Sequence, residues 1–110
     1  MNKLLLFGVC LLLSITSLTS YAIERTVTQL KVEKLFQSSE EPTAKDALWT
    51  AKNIFKVAVF DDGSSRNGYA QYVCGVLNER GFHKTWVQII DVIKLNRDGR
   101  WIKLGQAKCN

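Results

Sequence analysis

The sequence predicts an α+β domain: a small three- to four-stranded, mainly antiparallel sheet, one long helix packed on one face, and a single disulfide. Three observations carry this. One apolar run (IFKVAVF) reads as a buried strand, a stretch of helical periodicity ends at a glycine, and two apolar stretches flank Asn96-Arg97-Asp98-Gly99.

The chain opens with Lys3, runs apolar from Leu4 to Leu13, and reaches Ser20 and Ala22, small residues at the −3 and −1 positions of a cut after Ala22. This is the layout of a secretory signal peptide over residues 1–22, with one domain over residues 23–110. The apolar core falls short of the ~20 residues that a membrane-spanning helix needs. Val9 before Cys10 does not suit lipidation. The mature chain is therefore expected to be periplasmic or secreted, with no stable membrane span. Removing Lys3 takes the 15 basic residues to 14 against 10 acids, a net charge of +4. It also leaves Cys74 and Cys109, which in an oxidising compartment predict one bridge.

Residues 26–36 (TVTQLKVEKLF) fit either period, and their β-branched start favours a strand over a helix. The polar connection at residues 37–42 ends at the only proline, Pro42. Residues 43–52 (TAKDALWTAK) predict a short helix, with Thr43 and Asp46 as a capping box and Trp49 as core anchor. Residues 54–60 predict a central strand covered on both sides.

Residues 61–67 form a loop, and residues 68–80 an amphipathic helix bearing Tyr69, Val73, Val76 and Leu77. Gly81 supplies its left-handed stop, with Phe82 folding back on Leu77. A long strand at 86–95 and another at 100–108 are expected to form a hairpin through the tight turn at 96–99. Cys109, just past the last strand, can then reach Cys74 on the helix.

The basic residues, among them Arg25, Lys31, Lys34, Lys45, Lys52 and Lys56, are scattered among acids, which reads as a solvated mixed surface and argues against nucleic acid. Ligand chemistry is sought first in the loop before the long helix. Asp61, Asp62, Ser64, Ser65 and Arg66 there suit either a small anion held by Arg66 at a helix N-terminus, or a turn whose residues satisfy one another. The second reading is the simpler. Neighbouring Asp61 and Asp62 lack EF-hand spacing, and the lone His83 rules out a multi-histidine zinc site, so no metal or cofactor is expected.

Asp91 shares parity with Val87 and Ile89. If that face is the core, it needs a partner, with Lys103 or a helix tyrosine the favoured candidates. The tryptophans and tyrosines read mostly as core, but one or two left exposed on the sheet would mark a protein-binding face. The expectation is a non-enzymatic exported binding protein, such as an inhibitor, immunity or envelope accessory factor, taking an unidentified protein or a small anionic ligand through its sheet face or that loop. A small hydrolase using Asp61, Asp62 or His83 and a structural envelope component are the alternatives.

Overall fold

The computed structural model describes residues 24–110, and the expected signal peptide lies outside them. Helix α1 (Val27–Leu35), strands β1 (Asp46–Ala51) and β2 (Ile54–Val59), helix α2 (Asn67–Glu79), strand β3 (Trp86–Asp91), helix α3 (Val92–Asp98) and strand β4 (Lys103–Lys108) follow in order. The strands lie in one sheet in the order β1-β2-β3-β4; the outer pairs are antiparallel and the central β2–β3 pair is parallel. The fold is α+β, with a mixed sheet in which antiparallel pairs predominate.

Helices α1 and α2 share one face of the sheet. Val32 and Phe36 from the α1 region and Ala70, Val73 and Leu77 from α2 close over Trp49, Phe55, Val57, Val87 and Ile89. Trp49 is the anchor expected of it, its ring centroid 4.7 Å from that of Phe55 and 5.1 Å from that of Phe82. Helix α2 ends as its sequence signals: Gly81 has φ +86°, its N–H donates to Asn78 O, and the Phe82 N–H donates to Leu77 O. Cys74 on α2 and Cys109 after β4 form the disulfide, with Cα atoms 5.3 Å apart.

Three local expectations are corrected. Residues 26–36 form a helix rather than a strand, because Thr26 and Gln29 make a reciprocal capping box: Thr26 Oγ1 accepts from Gln29 N and Gln29 Oε1 accepts from Thr26 N. Residues 43–52 form a strand rather than a helix. Ala47 and Trp49 face the core while Leu48 faces the other side, and pairing with β2 outweighs the helix propensity of alanine, lysine and leucine.

The third correction concerns the end of the chain. Strands β3 and β4 are antiparallel neighbours as expected, but β3 ends at Asp91 rather than Leu95, β4 begins at Lys103 rather than Arg100, and the joining segment is α3 rather than a tight turn. The side chain of Asp91 caps α3, and Gly99 at φ +68° closes it.

Candidate functional site

The loop between β2 and α2 turns inward on itself. Asp61 Oδ1 accepts from the Gly63 N–H, and Asp62 Oδ1 accepts from both the N–H and the hydroxyl of Ser64. Ser64, with Arg66 as a weaker contributor, holds the Asp62 carboxyl below the ordinary carboxylate range. Arg66 donates to the Phe60 carbonyl oxygen at 2.8 Å and lies 3.5 Å from Asp62, while Ser65 Oγ accepts from the Asn67 N–H. Arg66 occupies the N-cap position of α2 without a side-chain cap bond. The loop residues expected to offer donors and charge to an anion thus spend much of that capacity on one another.

Asp61 and Asp62 follow the C-terminal end of β2, whereas His83 precedes β3. Because β2 and β3 are parallel, with Ile54 beside Trp86 and Val59 beside Asp91, these groups sit at opposite ends of the sheet. They are not brought together. Among the described residues, no group of three or more His, Cys, Asp or Glu side chains is placed to hold a metal ion. Asp91 is buried on the core-facing parity, and its partners are the N–H groups of Ile93 and Lys94 rather than Lys103 or a tyrosine.

Both sheet edges are occupied. On β1, the Trp49 N–H donates to Glu33 Oε2 at 2.8 Å and the Ala47 carbonyl accepts from Gln37 Nε2 at 3.1 Å. On β4, the Leu104 carbonyl accepts from the Arg66 N–H at 3.0 Å, and the Gln106 N–H donates to Asn67 Oδ1 at 2.9 Å. Buried Glu33 and Gln29 on α1 belong to this cover, Gln29 donating to the Lys52 carbonyl. A partner strand cannot add to either edge without displacing these bonds.

The face opposite α1 and α2 is only partly covered. Helix α3 lies over its far end, where Leu48, Lys56, Ala58, Ile90, Leu95 and Trp101 line a shallow pit of about 60 Å³. Trp101 is 47 % exposed, and Lys56 Nζ sits 4.5 Å from its ring centroid. Across the sheet, Lys103 and Lys108 stand 5.3 and 5.5 Å from the centroid of Trp86. Gln106 Oε1 ties Trp86 Nε1 and Lys103 Nζ together. Lys45 lies 5.4 Å from the ring of exposed Phe60.

The chain matches no family model, no curated protein and no solved structure.

The open face combines an apolar recess with ammonium groups resting on aromatic rings. Such contacts hold a lysine in place while leaving its charge available to an outside anion. Lysines that lie far apart along the sequence are gathered here because alternate residues of neighbouring strands point to one side. Asp46 also lines the pit, and its Oδ1 is taken by Gln37 and by the Ala47 N–H. Among the described residues, no helix is long and apolar enough to cross a membrane.

Proposed function

We propose that residues 23–110 form an exported, non-catalytic binding module that engages a partner through the open face of its sheet, in the manner of an inhibitor, immunity factor or envelope accessory protein. The observation that carries this reading is the exposed set of Trp101, Leu48 and the ring-supported lysines on a sheet whose edges are already occupied. A half-exposed tryptophan beside an apolar recess is the kind of surface that docking buries. Export is supported by the apolar segment from Leu4 to Leu13, by the small residues at Ser20 and Ala22, and by the bridge between the two cysteines of the mature chain.

The test is capture from the envelope and culture fluid of the source cells, using wild type, a face variant (Leu48→Asp with Trp101→Ala) and a loop variant (Asp61→Ala with Ser65→Ala). The proposal expects a partner retained by wild type and by the loop variant but lost from the face variant. Retention by the face variant overturns it, as does an exported chain whose mass does not begin at Ile23.

A further inference from the structure

We infer that the partner presents an acidic segment of protein with a single apolar side chain, which seats in the pit beside Trp101 while its carboxylates meet the lysines of the open face. This rests on the sheet-face reading above and adds the chemistry of the occupant.

Lys45, Lys56, Lys103 and Lys108 each lie beside an aromatic ring; Lys56 lines the pit, while the Lys103 and Lys108 ammonium groups both stand over Trp86 towards the other end of β3. Lys103 is paired with Ile90, a residue that lines the pit, and Lys108 with Trp86 at the other end of β3. Asp46, the one carboxylate lining the pit among the described residues, is held by the neutral donors Gln37 Nε2 and the Ala47 N–H and is outnumbered on the open face by Lys56, Lys103 and Lys108. That excess of ammonium groups favours an anionic partner.

Shape then narrows the class. The recess is concave and about 60 Å³, the size of part of one side chain, and its walls are Leu48, Ala58, Ile90, Leu95 and Trp101. A lipid surface favours apolar groups that project from the protein, whereas this apolar surface is sunk between α3 and the strands. A nucleic acid offers phosphates and flat bases that stack on ring faces, and the thymine methyl is too small to fill such a recess. A peptide supplies both. The distance from Ile90 to Trp86 along β3 corresponds to about four extended residues. An acid about that far from the apolar anchor reaches Lys103 and Lys108 beside Trp86, and an acid next to the anchor reaches Lys56.

The experiment is a backbone-amide NMR titration of the exported chain with a glutamate-rich peptide carrying one central leucine. Controls are the same peptide with serine for leucine, a lysine-rich counterpart, phosphatidylglycerol vesicles and single-stranded oligothymidylate. The expected result is a saturable shift of the β1–β4 face amides with the leucine peptide. Binding should weaken about tenfold or more with the serine peptide or with Lys56→Glu/Lys103→Glu, and should fall as salt rises. Lys103 is exposed and Lys56 half-buried beside Trp101, and an unchanged spectrum away from the face confirms that the variant folds.

Vesicles or oligothymidylate shifting the face amides in preference to the peptide overturn the acidic-segment inference but leave the face as the docking surface. Peptide shifts confined to residues 61–68 or to α1 and α2 overturn the face reading as well. No shift with any probe, or equal binding by the charge-reversed variant, overturns the inference.

Discussion

The Asp62 carboxylate accepts two bonds from Ser64 and sits within reach of Arg66, which together hold it below the ordinary carboxylate range. A carboxyl lowered in the folded state contributes order that is fully present above its unfolded value and is lost as pH falls through the lower folded one. Acidification below the ordinary aspartate value of about 3.9 should therefore loosen the loop before the core. Carboxyl and amide NMR titration should show Asp62 protonating below that value, with the Ser64 amide shifting alongside it; an Asp62 midpoint at or above it contradicts the geometry. The parity of Asp91 with Val87 and Ile89 was legible in the sequence, and so was its need for a partner if that face is the core, yet the partner is backbone. An aspartate at the end of a strand can start a helix, and the two N–H groups of α3 satisfy it.

At the level of elements, the N-terminus of α2 approaches β4 so closely that a side chain at Gly105 has no room. A Cβ built there would collide with the backbone of Arg66 and Asn67. Because the obstacle is backbone, it cannot swing aside. Gly105→Ala should cost about 1–3 kcal/mol and loosen the contact between α2 and β4, read as a lower urea midpoint with an unchanged slope. A neutral substitution would mean that the two elements separate without penalty.

Nothing in the local pattern around Gly105 announces this approach, since it depends on a helix nearly forty residues earlier. The long apolar or amphipathic stretches, by contrast, were readable: β2 and α2 stand where periodicity puts them, and β3 starts at Trp86 as expected but gives way to α3 after Asp91. The short elements were not. Residues 26–36 satisfy both periods, and only the Thr26–Gln29 capping box, a signal present in the chain, separates helix from strand. Residues 43–52 have helical propensity but a strand's alternation, and the pairing partner decides.

Across the whole molecule, the bridge from Cys74 to Cys109 closes a sequence separation of 35 residues and joins α2 to the end of the sheet. Closing a loop of that length restricts the unfolded chain, and a typical bridge contributes about 2–4 kcal/mol. In a domain whose total is about 5–15 kcal/mol, the loss is large. Cys74→Ser with Cys109→Ser should lower the urea midpoint accordingly, and reductant should do the same to wild type but leave the variant unmoved. Equal midpoints for oxidised and reduced wild type would remove the bridge from the account of stability.

The pairing itself followed from the expectation that cleavage leaves Cys74 and Cys109, and the α+β class from strand and helix periods, which are local properties of the chain. The distribution of charge did not follow. Scattered along the sequence, the lysines read as an even, solvated surface; folded, Lys56, Lys103 and Lys108 share one face of the sheet with Trp86 and Trp101. The loop at residues 61–67 stands out in the sequence because its donors are contiguous, and in the structure much of that capacity is spent within the loop and on the Phe60 carbonyl. Composition and period are read along a line, and they determined the fold class, the main strand and helix, and the disulfide. Which side chains become neighbours across strands depends on register and sheet order, and those were decided only when the whole sheet closed its core.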